Sequence, residues 1–427
     1  MKNLSEILKK PIVKVSSLNA VSVVVRILGG LFVAKAIAAY VGAAGLAVVE
    51  NMRKFLTPVE SFATLGMQNG IIKYVAENEK DEKKLYSVLS TVFLSIFGIV
   101  LLFTALLLVF SGYCSEWIFR DSDQYAWVFK VLAFSLPWYA GSLIFIAILN
   151  GFGDYKKVIR LNISGNIIGV ILSIYLMWKF HTDGALLGLI LFQAVYFLFT
   201  FYTIWQRFNG FPFLSFKYFD TTILKGLLSY SFMSLFSAIL LPIVIISINN
   251  KLIDNFSFET AGQWSAMNRL SGFYMMFANT MLTVYFLPKL SVANGINETK
   301  QVFSSYYKSI LPLFAIGLSG LYFLREFVVL FIFKEEFLPM TELFFWQLLG
   351  DFFKVGSLIL GYQFFAKKLT KAFVITEVVS SLILLSSSIF FMAEYGAKGA
   401  VMGHAFTYFI YWIVLAVYFR KELISIT

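Results

Sequence analysis

A chain of 427 residues is long enough for two or three soluble domains, but 59% hydrophobic residues against 14% charged is more apolar surface than a water-soluble core buries. The bilayer is therefore the expected solvent, and the net charge of +11 is read as loop anchoring at the membrane rather than as a nucleic-acid surface. A single cysteine, Cys114, and two histidines, His181 and His404, exclude an intrachain disulfide and leave no basis for a metal or cofactor site.

In chain order, the basic start Met1 to Lys14 is followed by an apolar stretch of span length without a small-residue cleavage site, so it reads as a retained segment rather than a signal peptide. Uncharged runs at 85–115, 131–153, 161–178, 184–206, 226–250, 270–288 and 399–419 are long enough to cross a membrane directly. Five further spans, at about 15–40, 46–76, 309–324, 341–366 and 372–393, need buried charge to be tolerated. The expected fold is thus an all-α membrane protein of about twelve transmembrane helices.

Lysine and arginine set the expected orientation. Placing the N-terminus inside puts 21 basic residues on the cytoplasmic side, in clusters such as Lys80, Lys83 and Lys84, or Lys367, Lys368 and Lys371. Only six lie on the other side: Arg120, Lys179, Lys251, Arg325, Lys334 and Lys398. The positive-inside rule then places both termini in the cytoplasm.

The chain also repeats itself. Gly184-Ala185-Leu186-Leu187-Gly188 recurs as Gly399-Ala400-Val401-Met402-Gly403, and Ala44-Gly45 recurs as Ala261-Gly262, at closely similar offsets. This implies two parallel six-helix bundles around a central cavity: residues 1–205, a cytoplasmic linker at 206–225, and residues 226–427.

Polar residues within the apolar spans follow helical spacing. Glu50, Arg53, Thr57, Glu60 and Thr64 make one stripe, and Asn19, Ser22, Arg26 and Gly30 another. Ser265, Asn268, Arg269, Gly272 and Asn279 form a third, with Gln347, Asp351 and Lys354 a fourth. An intramembrane Arg or Lys costs about 2.5–3.5 kcal/mol on insertion scales, so these side chains are expected to face protein or water. The bland alternative is structural pairing at i,i+3, Glu50 with Arg53 and Asp351 with Lys354. His404 reads as a hydrogen-bonded packing residue.

The two halves, Gly45 and Gly262 in equivalent loops, the run Leu287-Pro288-Lys289-Leu290-Ser291 and the run Phe345-Trp346-Gln347-Leu348-Leu349-Gly350-Asp351-Phe352-Phe353-Lys354-Val355-Gly356 resemble Wzx-type flippases of the multidrug/oligosaccharidyl-lipid/polysaccharide exporter superfamily. The likeness covers nearly the whole chain and looks closest to the branch that flips lipid III of enterobacterial common antigen, with O-antigen flippases nearby. It implies a bacterial inner-membrane transporter that moves an undecaprenyl-diphosphate-linked oligosaccharide by alternating access, with the bilayer and other surface-polysaccharide assembly proteins as partners. Cavity cations of such flippases map onto Arg26, Arg53 and Arg269. Asn268, Gln347 and Lys354 join them as substrate-binding candidates, and Glu50, Glu60 and Asp351 are the ion-coupling candidates. The competing classes are a drug or metabolite/cation antiporter, which an acidic cavity would suit better, and a glycan polymerase or transferase, which would need a catalytic constellation that the residues do not offer.

Overall fold

The computed structural model describes residues 11–120, 124–229 and 231–424, and among these every regular element is helical. The apolar runs dictate this outcome, because inside a bilayer a helix satisfies every backbone donor and acceptor within its own segment. In chain order the helices are α1 (Pro11–Tyr40), α2 (Gly42–Ala63), α3 (Gln68–Asn78), α4 (Glu82–Val109), α5 (Ser111–Phe119), α6 (Ala126–Gly151), α7 (Tyr155–Phe208) and α8 (Thr221–Ser229). They continue as α9 (Ser231–Asn255), α10 (Phe258–Met281), α11 (Leu287–Val292), α12 (Ile296–Phe323), α13 (Arg325–Ile332), α14 (Phe344–Ala366), α15 (Thr370–Tyr395), α16 (Gly399–Tyr418) and α17 (Arg420–Ile424). By length and hydropathy eight helical segments of the described chain can cross a membrane, or nine if α12 and α13, bent by 76°, count as one span. The long segments 155–208 and 370–418 are each counted once in that figure although each contains a reversal.

Packing divides the chain into one unit of residues 1–41 and 51–239 and a second of residues 42–50 and 240–427, so α2 and α9 contribute to both. In the first unit, α7 is broken at His181, whose φ of 49° and ψ of −123° lie outside the helical region. Its two arms run antiparallel in a regular register: a Cβ added at Gly165 would meet Tyr196, at Gly169 Phe192, at Gly184 the backbone of Leu176, and at Gly188 Ser173. Glycine lets these arms approach closely. The segment after α7 is sewn to α4, where Ser90 donates to the Ser215 carbonyl and Ser87 to the Tyr218 carbonyl, both at 2.7 Å. Helix starts here are capped outside the spans. Asp81 accepts from the Lys84 amide at 3.2 Å and Asp220 from the Thr222 amide at 2.6 Å, and these backbone donors hold both carboxyls below the usual range.

In the second unit, α15 and α16 form a hairpin through the 3₁₀ turn Gly396–Lys398. Gly403 lies against Ser388, and Gly399 against the backbone of Phe391 and Met392. The pairs Gly188/Ser173 and Gly403/Ser388 are therefore the same contact displaced by 215 positions, the offset of the sequence repeat. α10 passes through a π-helical turn at Leu282–Phe286 before α11, a local widening of the helix of the kind found at functional sites.

Candidate functional site

The charged candidates fall into different environments. On α1, Val21, Val24, Leu28 and Phe32 form an exposed apolar stripe. At 100° per residue Arg26 lies roughly 150° from that stripe, yet it is also exposed. It makes no hydrogen bond or ion pair among the described residues. Asn19, assigned to the same face, lies outside the described side chains.

The stripe on α2 is divided in its use. Arg53 and Thr57 are exposed, whereas Glu50 is buried at one end and Thr64 at the other. Thr64 donates its hydroxyl to the Glu60 carbonyl at 2.9 Å, and the Glu60 carboxylate accepts from the Tyr139 hydroxyl of α6. Arg53 lies within electrostatic range of Glu60.

Glu50 belongs to the second unit, and its Oε1 accepts from Arg269 Nη1 on α10 at 2.6 Å. Both side chains are less than a tenth exposed. The sequence offered Glu50 a partner at i+3 and offered Arg269 none on its own helix. The fold supplies one 219 residues away. Close packing makes the pair possible, since Gly262, about two turns before Arg269 in α10, sits directly against the Ala43 carbonyl of α2, where a Cβ would overlap it. Asn268, the residue before Arg269, turns its amide back to the Trp264 carbonyl at 3.1 Å.

A second cluster joins α10, α14 and α16. Asp351, fully buried, accepts from Ser271 at 2.7 Å and from Tyr274 at 2.5 Å through Oδ2, while His404 Nε2 lies 2.9 Å from Oδ1. The last contact holds one proton whichever atom owns it, because a bare imidazole nitrogen and a bare carboxylate oxygen repel at that distance. Gln347 adds its amide to Asp351 at 3.3 Å, and its buried Oε1 finds no hydrogen-bond partner among the described residues. Lys354, one turn beyond Asp351, carries its ammonium 4.9 Å from the centre of the Tyr408 ring rather than in an ion pair with Asp351. His404 is hydrogen-bonded, as its sequence reading expects, and its partner is a buried carboxylate. Its spacing to Tyr408, i+4 on α16, was the available signal, but nothing in a single sequence pairs it with Asp351.

Of the site candidates, the fold joins Glu50 to Arg269 and sets the Gln347 amide against Asp351 within α14, while Lys354 on the same helix turns to Tyr408. Arg26, Arg53 and Glu60 lie in the first unit. No group of three or more His, Cys, Asp or Glu suited to a metal ion occurs among the described residues.

Comparisons with known proteins bear on the same chain. It is 29% identical over 401 residues to the lipid III flippase of Escherichia coli (strain K12), covering 93% of this chain and 95% of that protein, and equally to the lipid III flippase of Shigella flexneri. Among solved structures it is similar to an inward-facing multidrug resistance MATE family transporter of the MOP superfamily, with a TM-score of 0.77, 14% identity and coverage of 94% and 98% of the two chains. It is likewise similar to the lipid II flippase MurJ in an inward closed conformation, with a TM-score of 0.74, 17% identity and coverage of 96% and 90%. Both likenesses concern the fold. The family model described as polysaccharide biosynthesis protein matches residues 52–342, and with well over half of its length inside that match the chain belongs to the polysaccharide biosynthesis protein family.

Proposed function

We propose that this protein is a flippase that carries an undecaprenyl-diphosphate-linked oligosaccharide, lipid III or an O-antigen repeat unit, from the cytoplasmic to the periplasmic leaflet of a bacterial inner membrane. The observation that carries the reading is the near full-length similarity to lipid III flippases in a chain whose apolar helices hold Arg26, Arg53 and Arg269. A diphosphate headgroup with its glycan cannot cross hydrocarbon unaided, because charge and hydroxyls would lose their water together. A hydrated cationic pathway removes much of that barrier. No covalent step is involved.

In this reading the guanidinium groups of Arg26, Arg53 and Arg269 bind the diphosphate by paired donors. Glu50 balances Arg269 until phosphate competes for it. Asn268, Gln347 and Lys354 contact the polar headgroup or sugar, and Glu50, Glu60 and Asp351 are the sites of ion coupling. Twelve spans in two parallel six-helix halves, 1–205 and 226–427 joined by 206–225, with both termini cytoplasmic, would allow alternating access. Partners are the glycolipid, the bilayer and other surface-polysaccharide assembly proteins. The fold likeness to a multidrug transporter suits a drug antiporter equally, but the excess of cations over anions in the candidate set favours an anionic cargo.

Substitution separates these roles. At equal membrane abundance, Arg26→Ala and Arg53→Ala are expected to lower glycolipid flipping at least tenfold, with Lys at either position restoring part of it. Parental rates in both Ala variants would remove the headgroup site.

A further inference from the structure

The open end of the α7 hairpin encloses a cavity of about 420 Å³ that the candidate transport residues do not use. Lys157, Arg160 and Leu161 line it from the first arm, and Tyr202, Gln206 and Arg207 from the second. Its donors are unequally committed. Arg207 is held by Asp154 at 2.5 Å and Glu79 at 3.7 Å and stacks on the Phe152 ring at 3.7 Å. Lys157 leans to Asp154 at 3.4 Å. Arg160 is exposed and has no hydrogen bond or ion pair among the described residues. Gln206 donates to the Tyr202 hydroxyl at 2.6 Å, which leaves that hydroxyl's own hydrogen free to donate. The cavity therefore presents a guanidinium, part of an ammonium and a phenol O–H, the donor set for a phosphate.

What leads into it is apolar. Arg160 shares a helical face with positions 167 and 171, at i+7 and i+11, where Ile167 and Ile171 are exposed. On the second arm Leu198, Tyr202 and Trp205 are exposed at i, i+4 and i+7. From Arg160 to Ile171 the helix rises roughly 16 Å, about half the ~30 Å hydrocarbon core and so the depth of one leaflet. A soluble anion would use the donors and none of this stripe, whereas a phospholipid uses both.

We propose that this cavity is a binding site for the headgroup of an anionic membrane phospholipid, with acyl chains laid along the exposed faces of the α7 arms. Basic pockets between the ends of membrane helices have this use, and nothing in it depends on the transport reading. The test is lipid retention by the purified full-length protein in neutral detergent, measured by native mass spectrometry with phosphatidylglycerol and phosphatidylcholine as probes. The parent is expected to retain phosphatidylglycerol preferentially. A Lys157→Gln/Arg160→Gln variant is expected to bind it about thirtyfold more weakly, at about fivefold for each basic group lost near the surface, with Arg160→Lys keeping most of the affinity. Equal retention by parent and double variant would overturn the proposal, as would absence of headgroup preference in the parent. Displacement of phosphatidylglycerol by an equal concentration of inorganic phosphate would overturn the lipid as occupant, and displacement by a polyprenyl diphosphate would make the cavity a substrate entrance instead.

Discussion

Glu50 and Arg269 form a buried ion pair whose charges are both shielded from water. Breaking such a pair from one side leaves an uncompensated charge and typically costs about 3–5 kcal/mol, whereas replacing both partners by apolar residues of similar volume is often nearly neutral. Arg269→Ala and Glu50→Ala are therefore expected to lower the unfolding temperature in detergent markedly, and Glu50→Leu/Arg269→Met to recover most of the loss. Unchanged melting in the single variants would show that the pair contributes nothing. Asp351 differs, because its oxygens accept from the Ser271 and Tyr274 hydroxyls and share a proton contact with His404. Asp351→Asn preserves shape and is expected to keep the fold while abolishing any dependence of glycolipid flipping on an imposed pH gradient. A gradient response equal to the parent's would remove Asp351 from coupling. In neither case was the partner legible in the sequence. Helical spacing displays neighbours at i+3 and i+4, but contacts between helices far apart in the chain depend on how those helices pack.

Among elements, the repeat is the feature that sequence exposed most directly. The motif beginning at Gly184 and its counterpart at Gly399 mark places where two helices must pass at close range, and small residues there leave a trace that composition alone cannot hide. What the sequence did not disclose is the serine facing each, Ser173 and Ser388, since a serine in an apolar span carries no pairing information. The two contacts also differ in tightness. A Cβ at Gly188 would stand 3.0 Å from the Ser173 hydroxyl, whereas at Gly403 it would overlap Ser388 backbone atoms that cannot swing aside. Gly403→Ala is thus expected to destabilise by about 1–3 kcal/mol and Gly188→Ala by clearly less, read from thermal unfolding of the two variants. Equal losses would contradict this packing. The break in α7 and the bend between α12 and α13 were legible only in part: apolar runs end near them, but the positive φ at His181 and the 76° bend before α13 fall at residues that are neither proline nor glycine.

At the level of the whole molecule, composition settled the solvent and the helical class, and the distribution of lysine and arginine supports an orientation that the helices themselves do not encode. In a Cys114-free background, a cysteine at Glu335 is expected to react with an impermeant reagent from outside intact cells and one at Thr370 only after permeabilisation; both positions are exposed. The reverse labelling would invert the topology and with it the proposed direction of transport. The central claim is that the protein moves a lipid-linked, anionic glycan across the bilayer. Its most direct test is purified protein reconstituted into liposomes loaded in one leaflet with an undecaprenyl-diphosphate-linked oligosaccharide, following the glycan's accessibility on the other side. The account predicts appearance that requires the protein and falls at least tenfold in the Arg26→Ala/Arg53→Ala variant. Appearance at the protein-free rate for lipid III and O-antigen units alike, from protein that remains folded in the same vesicles, would contradict it.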